Sequence, residues 1–397
     1  MVQYIGTAAA ARRRRRRAAL DEVGSGSFLA RLDWVLLLTT GALVGYGLWA
    51  IAGITRHAIP GDPHYYLDRQ LVFVAVGLVG MAAAAAVDPA WYRRASRGLY
   101  AAMLGVLVLV FLFGTVARHS KRWIDVGFFR FQPSEFGKLL LILFLSALLA
   151  ERAARIGELK TPLLAVGLAA PPILLVFAQP DLGSALVYVA ALAACLFMGG
   201  VRWPHLAFLA AAGVLIVVSI LWLLPSAGVN VLQPYQVKRL TTFTAPGSDP
   251  QGDTYNQHQA QIAVGAGGLT GRGVSGATQT NLDYLPESQT DFAFAAFAEQ
   301  RGFLGVSVLL LLYLLVVWRG LKIATIARDA FSAIVAAGIV FAFLFQIFVN
   351  VGMTIGLAPV TGITLPFVSV GGSSMIASLV AIGLLQAIHV RGRLRRG

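Results

Sequence analysis

Four stretches of this 397-residue chain bring acidic, basic and small polar residues together at spacings able to support chemistry. The first runs Arg122-Trp123-Ile124-Asp125 and then Phe131-Gln132-Pro133-Ser134-Glu135-Phe136-Gly137-Lys138. Pro133 and Ser134 read as the entry to a helix, with Ser134 near the cap and Glu135 favoured by the positive end of the helix dipole. Lys138 stands three residues beyond Glu135, so the two can pair on one helical face. A lysine inside a membrane helix costs about 2.5–3.5 kcal/mol at mid-depth and less near an end, a cost that usually marks function. The competing reading is that Lys138 snorkels to the surface while Glu135 merely caps.

The second stretch, Gln179-Pro180-Asp181-Leu182-Gly183-Ser184, is a very short connection in which Asp181 either caps the following helix or offers a polar, cation-binding group. The third is Leu285-Pro286-Glu287-Ser288-Gln289-Thr290-Asp291-Phe292-Ala293-Phe294, running on to Phe297, Glu299 and Arg301. Thr290 or Asp291 is expected to open a helix here. The phenylalanines supply an apolar setting, and partial desolvation makes a carboxylate a better base. Asp291 is therefore the candidate general base, with Asp283 and Glu287 as nearby alternates and an ordinary helix cap as the competing reading. The fourth spans Asn350 to Gly356, then Pro359-Val360-Thr361-Gly362 and Leu365-Pro366-Phe367-Val368-Ser369-Val370-Gly371-Gly372-Ser373-Ser374. Two proline-glycine interruptions beside a span imply broken backbone, which at membrane depth is tolerated only where protein or a polar cavity satisfies it. Close helix packing through the small residues, Ser373 among them, is the other explanation.

The elements that must position these residues are membrane helices. With 57% hydrophobic and only 13% charged residues, the chain has too little polar surface to cover a soluble globule of this size. Apolar runs of spanning length begin near Trp34, Gln70, Gly98, Ser134, Thr161, Leu182, Pro204, Gly302, Ala330 and Leu365. The expected fold is thus all-α, a polytopic bundle of about ten transmembrane helices. A basic tail (1–30) and a short basic end (391–397) flank a membrane domain (31–390), whose one long polar loop covers about 225–301. That loop contains Pro234, Pro246, Pro250 and Pro286 and a glycine cluster from Gly265 to Gly276, which predict short helices and turns laid over the bundle.

Ten spans put both termini on one side, and the positive-inside rule makes that side the cytoplasm. Arg93, Arg94 and Arg97, then Arg152, Arg155 and Lys160, then Arg202, then Arg319, Lys322 and Arg328 all fall in loops assigned there. The net charge of +14 is concentrated in the tails, with six arginines from Arg12 to Arg17 and four more at Arg391, Arg393, Arg395 and Arg396. Such tails orient helices or touch anionic lipid, and nucleic-acid binding is not expected. Cations also occur in outer segments, where orientation disfavours them: Arg118, Lys121, Arg122 and Arg130, and in the long loop Lys238, Arg239 and Arg272. A local anionic partner such as a lipid pyrophosphate would explain them, as would outer headgroups. The lone Cys195 lies in an apolar run and forms no disulfide within the chain.

At these four stretches the chain resembles the SEDS family (shape, elongation, division and sporulation), over nearly its whole length from Leu32-Asp33-Trp34 to the last helix. Gln-Pro-Ser-Glu with a following lysine, Gln-Pro-Asp-Leu-Gly, Pro-Glu with Thr-Asp-Phe, and Gly-Gly-Ser-Ser occur in the family's order. The overall likeness is greatest to its elongation members. The basic tail and Val370, where the family often has tyrosine, are departures. The resemblance implies a bacterial plasma-membrane peptidoglycan glycosyltransferase that polymerises lipid II, working with a class B penicillin-binding protein that supplies transpeptidase activity. Its essential aspartate falls on Asp291, the glutamate and lysine of its fourth-helix motif on Glu135 and Lys138, and a further acidic position on Asp283. Arg122, Asp181, Glu287, Lys238, Arg239 and Ser373 complete the candidate substrate-binding set. No dense oxygen-ligand cluster declares a metal site, although a divalent cation could share the pyrophosphate's charge. A lipid II flippase is the main alternative and a non-catalytic scaffold the third.

Overall fold

The structure is a computed structural model that describes residues 29–117, 120–125, 127, 129–226 and 253–393. Lys238 and Arg239, the arginine run at 12–17 and the last four residues lie outside the described residues.

Nine helices are long and apolar enough to cross a membrane among the described residues, and a tenth, 17 residues long, completes the bundle. In chain order they are α1 (Trp34–Ile54), α2 (Tyr65–Ala86), α3 (Pro89–Phe113), α4 (Pro133–Glu151), α5 (Lys160–Ala178), α6 (Leu182–Met198) and α7 (Trp203–Val218). A π-helical turn at Ser219–Leu223 prolongs α7. Beyond the polar loop come α8 (Asp253–Gly267), two single turns at Gly273–Gly276 and Thr278–Asn281, and then α9 (Ala293–Ile326), α10 (Ala330–Thr354) and α11 (Gly372–Arg393). The short helices of the long loop are those its composition predicts, and α8 lies against α9 and α10. One β element adds to the helical fold: β1 (Thr115–Ala117), β2 (Ser120–Asp125) and β3 (Arg130–Phe131) form a small antiparallel sheet between α3 and α4.

Four span starts differ from the apolar runs, each for a local reason. Helix α2 begins at Tyr65 rather than near Gln70, its first turn carrying Asp68 at the favourable end of the dipole. Helix α3 begins at Pro89 rather than near Gly98, because Asp88 caps it by accepting from the Ala90 amide and Pro89 fits the first helical position. The basic residues Arg93, Arg94 and Arg97, expected in a loop, therefore ride on its first turns. Helix α9 starts at Ala293, and Gly302 (φ 65°, ψ −168°) kinks it where the apolar run begins. A Cβ on Gly302 would meet the backbone of Leu269 and Gly271, so only glycine lets α9 take the loop at this point. Finally, α11 starts at Gly372 rather than Leu365, because Pro366 and the glycine pair hold the preceding residues out of a helix.

Helices α4, α10 and α11 form the interior, whereas α7 buries no residue at all. The end of the bundle that carries the chain termini is locked by one buried carboxylate. Asp33, 2% exposed, caps α1 by accepting from the Leu36 amide and receives Arg319 of α9 in a fork at 2.5–3.2 Å. The amide of Gln386 on α11 closes a two-way bond with the Asp33 backbone, donating at 3.0 Å and accepting at 2.9 Å. Because α1, α9 and α11 meet there, Asp33→Ala strands a mostly buried guanidinium. It is expected to destabilise the protein by about 3–5 kcal/mol, measured by denaturant unfolding in detergent micelles.

Candidate functional site

The four motif stretches come together at the end of the bundle opposite Asp33, and Asp181 joins the first of them to the second. As the residue before α6 it caps that helix, its Oδ1 accepting from the Ser184 amide at 3.2 Å. Its Oδ2 accepts from the Gln132 carboxamide at 2.9 Å and from the Ser134 hydroxyl at 3.2 Å. Arg122, on β2, completes the charge balance at 3.5 Å and lies over the Trp123 ring at 4.3 Å. At 3% exposure Asp181 is thus both the cap and the charged group that its sequence context left open. Ser134 does not cap α4. Gln132 occupies the cap position but makes no capping bond with its side chain, and the Ser134 hydroxyl is turned to Asp181 instead.

Ser373, expected to touch substrate, is used as a backbone tie: its hydroxyl accepts from the Gln132 amide at 2.9 Å and donates to the Arg130 carbonyl at 3.4 Å. Helices α4 and α6 approach closely because position 137 is glycine. A Cβ there would run into the Tyr188 hydroxyl, which donates to the Ser134 carbonyl at 3.0 Å.

One turn into α4, Lys138 pairs with Glu135 at 2.8 Å, both side chains under 9% exposed. That burial excludes the snorkelling alternative, since the ammonium is turned into the bundle and held by its neighbour. The pair lines a cavity of about 20 Å³, enough for a water. Opposite it stand Phe343 and Gln346 of α10 and Ser378 and Ala381 of α11.

Asp291 sits on a tight turn at the head of α9, half-buried, and neither it nor Thr290 is the helix cap; Phe292 takes that position without a side-chain bond. The turn is built by the amides of Thr290 and Phe292 donating to the Glu287 carbonyl, with Glu287 itself in the left-handed region (φ 53°). The Glu287 carboxylate accepts from the Thr290 hydroxyl at 2.8 Å, so it braces the turn. Phe292, Phe294 and Phe297 are all buried behind it, giving the apolar setting expected from sequence. Asp283 is exposed, in a left-handed conformation after the turn Thr278–Asn281.

The turn is strapped to the irregular segment between α10 and α11. Asn350 donates to the carbonyls of Asp291 (2.9 Å) and Ile363 (2.7 Å), Ser369 donates to that of Thr290 (2.6 Å), and the Val370 amide donates to that of Gln289 (2.8 Å). A Cβ on Gly362 would stand 3.4 Å from Asp291 Oδ2, and one on Gly183 would stand 2.7 Å from the Thr361 carbonyl. Residues 361–363 therefore touch both the helix that starts at Asp181 and the Asp291 carboxylate.

Glu299, named in the sequence only in passing, is 0% exposed and accepts from the amides of Gln279 and Thr280 and from the Thr280 hydroxyl at 2.7–3.0 Å. It orders the loop behind the turn. Gln132 and Ser369 likewise have roles no local pattern reveals, whereas a lone asparagine in the apolar α10 was a readable signal. Among the described residues no three His, Cys, Asp or Glu side chains are grouped to hold a metal ion. The arrangement offers a half-buried carboxylate at Asp291, an arginine on an aromatic face and a buried ammonium, the parts of a base with an anion-binding flank.

Comparison with known proteins finds relatives over nearly the whole chain. The sequence profile described as "Cell cycle protein", covering FtsW, RodA and SpoVE, matches residues 29–394. Stage V sporulation protein E of Bacillus subtilis is 38% identical over 88% of this chain and 93% of its own. Peptidoglycan glycosyltransferase MrdB of Escherichia coli is 36% identical over 92% and 95%. The probable peptidoglycan glycosyltransferase FtsW of Tolumonas auensis is 37% identical over 91% and 93%. Among solved structures, a chain described under "Structural coordination of polymerization and crosslinking by a peptidoglycan synthase complex" superposes with a TM-score of 0.77 at 31% identity, covering 91% of this chain and 98% of that one. The rod shape determining protein RodA of Thermus thermophilus superposes at 0.65 and 28% identity, covering 90% and 96%.

The Gly137 contact can be tested directly. Gly137→Ala is expected to cost about 1–3 kcal/mol of stability through overpacking against Tyr188, and Tyr188→Phe in the same chain should recover part of it by removing the colliding oxygen. Unfolding of both variants in detergent measures the difference.

Proposed function

The chain belongs to the FtsW/RodA/SpoVE family, and from that membership we propose that it polymerises lipid II into β-1,4-linked glycan with Asp291 as general base. It is a multi-pass membrane protein and a peptidoglycan glycosyltransferase, the activity in the names of MrdB and FtsW. The observation that carries the mechanism is the position of Asp291: a carboxylate at the mouth of the bundle, backed by buried phenylalanines and joined through residues 361–363 to the helix that Asp181 and Arg122 anchor.

The donor sugar is α-linked to undecaprenyl pyrophosphate and the product bond is β, so one in-line displacement with inversion suffices. Asp291 takes the proton from the acceptor's 4-hydroxyl as the new C–O bond forms. The bond to the pyrophosphate breaks, and the departing diphosphate carries away the electron pair. Pyrophosphate leaves without prior protonation, so a single carboxylate does the work that a glycosidase divides between two. Arg122, stacked and partly exposed, meets the developing charge, with Lys138 and the outer cations Lys238 and Arg239 as further contributors. Asp283 and Glu287 frame the entrance. A divalent cation would arrive on the diphosphate, and an EDTA titration of purified enzyme measures that dependence.

With both termini in the cytoplasm, as the basic loops require, this end of the bundle faces the outside of the bacterial plasma membrane, where lipid II is consumed. A class B penicillin-binding protein is the proposed partner and cell elongation the proposed setting. The family likeness to a chain from a synthase complex for polymerization and crosslinking supports the first. The flippase alternative draws on the buried Glu135–Lys138 pair, but the reactive carboxylate lies at one end of the bundle rather than in its middle.

Purified Asp291→Asn is expected to bind lipid II with unchanged affinity while the rate of glycan synthesis falls about 10²–10⁴-fold, the usual contribution of a general base. Near-normal polymer from that variant rejects the assignment, and labelled lipid II crossing proteoliposomes without polymer would point to transport.

A further inference from the structure

A base positioned on a turn, not on a helix, needs something other than helical hydrogen bonds to hold it. The Asp291 carbonyl lies outside the hydrogen-bond ladder of α9, whose first bond runs from the Ala296 amide to Phe292. Its partner is Asn350, fully buried on α10, and the same nitrogen donates to the Ile363 carbonyl. Two carbonyl oxygens face one atom of that carboxamide, so the atom must be the nitrogen, and the orientation of the side chain is fixed by its chemistry. One amide group therefore sets the separation between the backbone that carries the carboxylate and the backbone that walls it, where Gly362 approaches Asp291 Oδ2.

The preceding carbonyl, that of Thr290, is gripped from a different segment. Ser369 donates to it and accepts from the Leu365 amide at 2.9 Å, so the hydroxyl is fully committed between two backbones. Consecutive carbonyls of the turn are thus held by two side chains, one from α10 and one from the irregular segment. Neither side chain has a part in the proton transfer itself.

We propose that Asn350 and Ser369 are positioning residues that fix the reach of the Asp291 carboxylate; the proposal rests on the reading of Asp291 as base. Displacement of a catalytic group by about 1 Å costs on the order of 10²-fold, so loosening either grip should lower turnover while leaving substrate capture intact.

The test uses the purified full-length protein and initial rates of glycan synthesis over a range of lipid II concentrations. Asn350→Asp keeps the shape but turns an acceptor towards two carbonyls, and Ser369→Ala removes the second grip. Each is expected to lower the saturated rate about 10- to 100-fold with the half-saturating concentration changed less than about threefold. Asp291→Glu, which lengthens the reach by one methylene, should cost less in the Asn350→Asp background than in the wild type, because both changes displace the same carboxylate. Independent, multiplicative losses, or saturated rates within about threefold of wild type, overturn the proposal. Should Asn350→Asp not yield monodisperse protein, Ser369→Ala with Asp291→Glu performs the same cycle. An inactive Asp291→Asn beside active Asn350 and Ser369 variants removes this inference alone, whereas an active Asp291→Asn removes the parent reading with it.

Discussion

The backbone between the end of α10 and the start of α11 is irregular and largely buried against the helix bundle, so most of its peptide groups need partners that no helix supplies. Side chains from several helices supply those partners. Gln70 of α2 accepts from the Gly371 amide and donates to the Ser369 carbonyl, Tyr313 of α9 donates to the Pro366 carbonyl, and Gln257 of α8 donates to the carbonyls of Met353 and Ala358. Thr364 and Ser374 bond to each other across the segment. The broken stretch is therefore the crossing point of the end of the bundle opposite Asp33. The turn that carries Asp291 is one of the structures it holds.

Burial of charge imposes the second constraint, and three of the buried carboxylates, Asp33, Asp181 and Glu135, meet it by pairing with a cation, with different results. Asp33 and Arg319 pair at the terminal end, where no chemistry is placed, and join three helices. Asp181 is satisfied by neutral donors before Arg122 is counted, so the arginine is not wholly consumed by the pair and remains 22% exposed. Glu135 and Lys138 neutralise one another at the wall of a small cavity. In each case removing one partner leaves the other charge uncompensated in a medium that solvates it poorly, which makes these positions costly to alter even before function is considered.

Stiffness at this end of the bundle follows from the same bonds and suits the chemistry proposed for it. Glu287 braces the turn from one side, Glu299 fixes the loop behind it, and the buried phenylalanines leave no room for it to sink. Helix α7 is the opposite case. None of its residues is fully buried, and Leu206 and Leu209 pack half-buried against the core.

Local chemistry made much of this legible in the sequence. Apolar length set the number of spans at about ten, and the three-residue spacing of Glu135 and Lys138 foretold their pairing. Each of those signals is contained within a turn or two of chain. The rest depended on groups far apart in sequence: Gln132 meets Asp181 across 49 residues, Ser373 across 241, and Asp33 meets Gln386 across 353. Ser134, Asp181 and Asp291 are legible in the sequence as polar groups at helix entrances; which of them caps, which receives a charge and which lies half-buried on a turn was decided only by tertiary packing. A hydrogen bond is short and directional, so its donor and acceptor are chosen by what the fold brings within about 3 Å, and no periodicity along the chain encodes that choice.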